Sequence, residues 1–342
     1  MKQYLLPSGG SFYKANLHCH STCSDGNYTP QELKDIYKSA GYSVLAFTDH
    51  NVLVDHSELD DEDFITFTGT EIDVNWEDNG GNARKPCYHI NFYPEDQHNT
   101  ALPCYNPRYV WGNHVAELRD AQKYVGEKNY VRSYSTVNEM IAEFTANGFL
   151  ATVNHPTWSL QGLDDYRSLD GLFAMEIYNH SCYLVGYEEV NGHVLDELWR
   201  MGKRLFCVAA DDNHNSHPHG SARGDSLGGF VMIKAEELSH KAIFQALKRG
   251  DFYASNGPLI EELYVEGNIL TVKTSPAARI SLTTAVRQTR TAYPEERDGE
   301  ITEAQFDLSR LFPGYYRITV TDKRGKQAWT QPVFGEFSGR IQ

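Results

Sequence analysis

Short apolar runs in this chain are followed, one after another, by residues that can hold a cation. His18-Cys19-His20 follows the first run, with Asp25 just beyond it. Thr48-Asp49-His50 follows the second, and Gly69-Thr70-Glu71 the third. His89 lies within the fourth, in Tyr88-His89-Ile90. Asn154-His155-Pro156 follows the fifth. The sixth contains Glu176 and leads into Asn179-His180. The seventh ends in Asp211-Asp212-Asn213-His214. Imidazole and carboxylate are donor types of Zn, Mn and Fe sites. Residues i and i+2 of a strand share a face, so His18 and His20 can reach one cation while Cys19 points the other way. Taken singly, such residues are ordinary: Asp and Asn at strand ends often cap helices. Nine of them, at the same end of seven successive runs, predict a metal centre.

The runs that must position these donors span 14–17, 43–47, 64–68, 88–93, 150–153, 173–178, 205–209 and 230–234. Several are continuously apolar, as strands covered on both faces should be. Helical stretches lie between them. Thr29-Pro30-Gln31-Glu32 reads as a capping box with Pro at the first helical position, and Gly41 closes that helix. Thr136 with Glu139 repeats the box, with Gly148 at the end; 239–249 is a third helix, stopped by Gly250. This β-then-α order predicts a parallel sheet with helices outside, open or closed into a barrel, with strand ends opening on one face. Segment 94–135 breaks the rhythm. It is aromatic-rich, with a helix expected near 113–127, and reads either as a lid or as loop padding.

The texture changes after Gly257. None of the 14 histidines lies in 258–342, where 11 basic residues balance 11 acidic ones; the chain's net charge of −15 resides entirely in 1–257. Short β runs at 260–265, 269–273, 279–285, 315–321 and 328–334, with turn signals at 266–268 and 322–325, predict a small β-sandwich. The expected division is a metal-dependent catalytic barrel, 1–257, and an accessory sandwich, 258–342. A charge of −15 disfavours general nucleic-acid binding. No run is long and apolar enough for a transmembrane helix, and 1–12 lacks the apolar core of a secretory signal. The six cysteines form no CxxC pair and read as reduced thiols of a cytosolic protein.

Together the motifs resemble the PHP (polymerase and histidinol phosphatase) superfamily: His18-Cys19-His20…Ser24-Asp25-Gly26, Thr48-Asp49-His50, Gly69-Thr70-Glu71, His89, Asn154-His155-Pro156 and Asp212-Asn213-His214, in that order, over about 14–257. The resemblance implies a distorted seven-stranded (β/α) barrel, metal-dependent phosphoester hydrolysis, and up to three divalent metals. It implies one metal on His18, His20, Glu71 and Asp212, a second on Glu71, His89 and His155, and a third on Asp25, His50 and His214. The tail with Ala328-Trp329-Thr330-Gln331-Pro332, and the doubled acid Asp211-Asp212, resemble a branch with a C-terminal β-sandwich. Some relatives in that branch are thought to cleave other esters, including carbamates.

The expected chemistry is attack by a metal-bridging hydroxide, which needs no protein base. His180 is the candidate proton donor, or else a hydrogen-bonded neighbour of the site. Asp49 is expected to orient a ligand imidazole, with Asp211 and Glu176 in similar roles. Arg223, in the loop His217-Pro218-His219-Gly220-Ser221-Ala222-Arg223-Gly224, is the candidate phosphate clamp. Arg84, Lys85 and Lys203 are secondary choices. Tyr105, Tyr109 and Trp111 could stack a ring or pack the lid. The expected partner is a small soluble phosphate ester, with self-association left open. Rival readings are a hydrolase of carboxylic or carbamic esters, a non-catalytic binding protein that uses the sandwich, and a nuclease, which the charge disfavours.

Overall fold

The computed structural model describes residues 1–75 and 85–335. Arg84 lies outside them. Val44–Phe47 and Ile65–Thr68 are buried along their whole length, the first an unbroken apolar run and the second carrying Thr66 and Thr68 inside as well. They pair in parallel with each other, and Val44–Phe47 pairs in parallel with Ser11–Asn16. Helix Pro30–Ser39 has the expected box: the Glu32 amide donates to the Thr29 hydroxyl, and the Thr29 amide to the Glu32 carboxylate. Its Leu33 and Tyr37 are buried. Helix Val137–Ala146 differs from expectation at its start. A 3₁₀ turn, Tyr134–Thr136, precedes it, and Ser133 rather than Thr136 supplies the side-chain cap. Helix His240–Arg249 ends at Gly250, whose φ is 80°.

The strands form two main sheets in the donor-bearing part. One holds, in order, Phe206–Ala210, Ala174–Asn179, Phe149–Val153, Cys87–Pro94 and Thr70–Asn75. The other is ten-stranded and includes Phe252–Ser255, Phe230–Ala235, Ser11–Asn16, Val44–Phe47 and Ile65–Thr68 as consecutive neighbours. The expected all-parallel arrangement does not hold. Cys87–Pro94 runs antiparallel to both its neighbours, and Phe230–Ala235 antiparallel to both of its own. Nor do the sheets close into one seven-stranded barrel. They adjoin instead at two isolated bridges, His50 to Glu71 and Cys19 to Asn213. At Gly69 the chain leaves Ile65–Thr68 in one sheet and enters Thr70–Asn75 in the other. A Cβ there would meet Thr48 Cγ2 and Tyr93 Cδ1 at 3.0 Å, so only glycine passes freely.

The expected helix at 113–127 is shorter, Val115–Ala121, and lies between two short strands that pair in parallel, Ala101–Leu102 and Lys123–Tyr124. Beyond Gly257, the expected runs become Ile260–Glu266, Ile269–Ala277, Arg279–Thr284, Gly314–Thr321 and the pair Gln327–Thr330 and Val333–Gly335. A four-stranded sheet orders Lys2–Tyr4, Ile260–Glu266, Ile269–Ala277 and Ile301–Asp307. Leu263, Leu270, Val272 and Phe306 from that sheet pack with Ile280, Leu282, Ile318 and Val320 from the end of the ten-stranded one. The division at Gly257 is crossed twice by hydrogen-bonded strands. Lys2–Tyr4 pairs with Ile260–Glu266, and Phe252–Ser255 with Gln327–Thr330. No helix among the described residues is long and apolar enough to cross a membrane.

Candidate metal centre

All nine expected donors converge where the two sheets adjoin. Glu71 sits among five imidazoles. Its Oε1 lies 3.1 Å from His89 Nδ1 and 3.3 Å from both His155 Nε2 and His18 Nε2; its Oε2 lies 3.3 Å from His20 Nε2 and from His50 Nε2. Asp212 Oδ1 is 3.2 Å from His18 Nε2 and 3.1 Å from His20 Nε2. Asp25 Oδ2 is 3.2 Å from His214 Nε2. Three donor groups have ligand atoms within 4.8 Å of one another: His18, His20, Glu71 and Asp212; His20, Asp25, His50 and His214; and His50, Glu71 and His89. His20 and His50 thus each stand between two groups, where the family resemblance gave each a single metal.

The local backbone explains how residues from so many strands meet. His89 lies near the start of Cys87–Pro94, not at its end. Because that strand runs antiparallel, its start lies beside the ends of its parallel neighbours. His155 and Asp212 have φ of 26° and 54°, a conformation that costs non-glycine residues about 1–3 kcal/mol. Hydrogen bonds hold them there. The His155 amide donates to Glu176 Oε2 at 2.8 Å, and the Asp212 amide to the His18 carbonyl at 2.9 Å.

Electrostatics favour cations at this place. The Nε2 atoms of His18 and His20 face each other at 3.2 Å, and both lie against Asp212 Oδ1. A single N–H shared between the two rings has no hydrogen left for the Asp212 oxygen, whereas a cation accepts lone pairs from all three atoms. Buried His20 Nδ1 and His50 Nδ1 have no hydrogen-bond partner among the described residues. Burial works against a charged His20, yet Asp212 and Glu71 prevail and push it up to about 10. Burial lowers His50 to about 3. Glu71 and Asp212 are held far below the usual carboxylate range: burial opposes this, but the surrounding imidazoles outweigh it. The donor set fits divalent metal ions of the Zn, Mn or Fe kind.

A further layer orients the donors. Glu176 accepts from His18 Nδ1 at 2.7 Å, which leaves Nε2 free to face the cluster. It also accepts from Asn179 Nδ2, which in turn reaches Asp212 Oδ2 at 3.1 Å. Ser159 Oγ contacts His155 Nδ1 at 3.0 Å, and Asn154 Nδ2 donates to Glu71 Oε1 at 2.8 Å. Glu176 is thus placed against a donor imidazole, where an orienting residue was expected. Asp49 and Asp211 have other partners. Asp49 accepts from the Ser21 amide and from the Ser21 and Ser24 hydroxyls, fixing the loop that carries Asp25. Asp211 accepts from Tyr37 Oη and from the amides of Leu227, Gly228 and Gly229.

A cavity of about 490 Å³ opens over the donors, lined also by Asp73, Asn75, Trp111, Trp158, Ser181, Cys182 and Val185. His180 does not line it. Its Nδ1 pairs with Tyr178 Oη at 2.8 Å, and burial, with Lys326 nearby, lowers it to about 4. Neutral at pH 7, it is a poor proton donor. Arg223 does not line this cavity but an adjoining one, which shares the donor His214, with Ser181 and Val185, and also holds His217, Ser216 and Asp225. Lys203 is tied to Asp170 and the Leu169 carbonyl, and Lys85 is exposed. Tyr105 is buried within the insertion, and Tyr109 packs under Arg132. Trp111 does reach the site, stacked on His50 at 4.6 Å. Gly112 and Asn113 behind it rest on the loop of Asp25: the Asn113 amide donates to the Ser24 carbonyl at 2.8 Å. A Cβ on Gly112, at φ 121°, would meet that carbonyl oxygen at 2.4 Å. Trp158, absent from the expected site, lies 5.2 Å from His89 and 4.9 Å from His155, ring to ring.

No family model matches the chain. A curated 5'-3' exoribonuclease of Haemophilus influenzae is 41% identical over 71 residues, 20% of this chain, and the chain spans about a quarter (26%) of that protein's length. Among solved structures, a two-domain protein of Bacteroides vulgatus, described as containing a predicted PHP-like metal-dependent phosphoesterase, aligns with 99% of this chain and 96% of its own at 16% identity and a TM-score of 0.46. A protein of Bifidobacterium adolescentis described as a metal-dependent phosphoesterase covers 64% of this chain and 93% of its own, at 18% identity and a TM-score of 0.40. An amidohydrolase of Chromobacterium violaceum, with bound sulfate and no metal, covers 58% and 87%, at 18% identity and a TM-score of 0.39.

Proposed function

We propose that this protein is a metal-dependent hydrolase that cleaves a phosphoester of a small soluble substrate. The observation that carries the reading is Glu71, buried among five imidazoles with two further carboxylates at hand. Such a cluster leaves its donors poorly satisfied without cations. Divalent ions bound there would supply Lewis acidity and an activated water at neutral pH. The chain's own residues set the stage. Glu176 and Ser159 fix the rings of His18 and His155, Asn179 and Asn154 hold Asp212 and Glu71, and Trp111 and Trp158 wall the cavity. All nine donors precede Gly257, so we take the chain beyond it as accessory to the chemistry.

One observation favours a second reading, hydrolysis of a carboxylic or carbamic ester. Among the described residues no Lys or Arg lines the cavity; the cation placed nearby is Arg223, in the adjoining cavity that shares His214. Assay of the purified protein, loaded with Mn²⁺ or Zn²⁺, against nitrophenyl phosphate, a phosphodiester and acyl and carbamoyl esters separates the two. Turnover of a phosphate ester is expected. Turnover of acyl or carbamoyl esters alone would replace the first reading with the second. His18→Ala should remove metal and lower activity by orders of magnitude while the fold survives. An unchanged rate would overturn the donor assignment.

A further inference from the structure

A second group of donors lies outside the nine. One ligand atom each from Cys23, Asp49 and His56 falls within 4.8 Å of the others. His56 is 7% exposed, and its Nε2 is buried with no hydrogen-bond partner among the described residues. Its Nδ1 lies 3.7 Å from Glu58 Oε1, and the ring stands edge-on to Phe47. Asp49 is 2% exposed. Its Oδ1 accepts twice, from the Ser21 amide and the Ser24 hydroxyl, but its Oδ2 accepts once, from the Ser21 hydroxyl. A carboxylate oxygen takes two such bonds, so a lone pair on Oδ2 stays open. Cys23 is the one cysteine of the six that is not buried.

We propose that Cys23, Asp49 and His56 form a separate site for one thiophilic divalent cation, with Zn²⁺ as the first choice. Thiolate, imidazole and carboxylate are Zn donor types, and three protein ligands leave a fourth place for water or Glu58. Tetrahedral donors at about 2.0–2.3 Å from zinc stand roughly 3.3–3.8 Å apart, so the three close by up to ~1.5 Å on binding. The cation would tie the loop that carries Asp25 to the segment after His50. The site shares no residue with the nine donors and stands whether or not the proposed hydrolase reading does.

The test uses the full native chain. Iodoacetamide labelling of Cys23, mapped by mass spectrometry, should slow about tenfold or more when Zn²⁺ is added, because a coordinated thiolate is withdrawn from reaction. His56→Asn should abolish that protection. With Co²⁺ in place of Zn²⁺, a thiolate-to-cobalt charge-transfer absorption should appear, vanish in Cys23→Ser, and persist in Cys182→Ser, whose thiol lines the main cavity. Labelling unaffected by Zn²⁺ in the wild-type protein would overturn the proposal. So would protection that survives His56→Asn, or an absorption that survives Cys23→Ser.

Discussion

Glu176 is the side chain on which most of the donor geometry turns. One oxygen accepts from the His18 ring, and the other accepts from the His155 amide and from Asn179. Glu176→Gln keeps the shape and removes the charge. It should weaken metal binding about 10–100-fold, the usual effect of losing an orienting partner, as read by competition with a chelator. Unaltered affinity would mean the imidazoles need no such support. The donors themselves were legible in sequence because His and carboxylate after an apolar run are few and chemically distinctive. Their supports were not. Asn154, Asn179 and Ser159 are residue types that caps and turns use everywhere, and nothing in their spacing marks them. Asp49 shows the opposite failure. Adjacency to His50 suggested service to that ring, but both residues lie beyond the strand end at Phe47, and Asp49 serves Ser21 and Ser24 instead.

At the scale of elements, hydropathy located the strands but said nothing of their direction. Cys87–Pro94 reads as one more apolar run, and its reversal shows only in its pairing. Ile301–Asp307 was missed because four of its seven residues are polar or charged, and it packs through Ala304 and Phe306 with Ile301 half-buried at its start. The helix His240–Arg249 offers a test of packing through pH. Its His240 is buried against Phe67, ring on ring at 4.3 Å, and its Nε2–H donates to the Pro94 carbonyl. Burial lowers its pKa below 6.5. The unfolded chain therefore takes up a proton at a higher pH than the folded one does. Its contribution is fully present above pH 6.5 and is lost as pH falls from there through the folded value. The thermal midpoint should drop between about pH 7 and pH 5, and His240→Phe should flatten that drop. Parallel pH curves for the two proteins would show that other groups dominate.

For the molecule as a whole, the tail is joined to the donor-bearing part by buried polar bonds as well as by strands. Arg317 grips Asp196 through Nε at 2.9 Å and Nη2 at 2.7 Å, and Tyr315 Oη adds a bond to the same carboxylate. Gln331 exchanges two hydrogen bonds with the Cys207 backbone. Arg317→Ala leaves Asp196 without its cation in a largely buried place and should cost about 3–5 kcal/mol, measurable by denaturant unfolding. A loss under about 1 kcal/mol would mean water reaches the carboxylate. None of this joint was legible in sequence, since Asp196 and Arg317 are 121 residues apart. The strand pairings across Gly257 carry a consequence for the order of events at the ribosome. The large sheet keeps an open edge at Phe252–Ser255 until Gln327–Thr330 has been made, and Lys2–Tyr4, translated first, waits for Ile260–Glu266. A nascent chain some 300 residues long therefore holds its whole set of donors and still lacks the strand that seals that edge. Slow translation past this point would lengthen the interval in which the exposed edge can recruit a neighbouring chain.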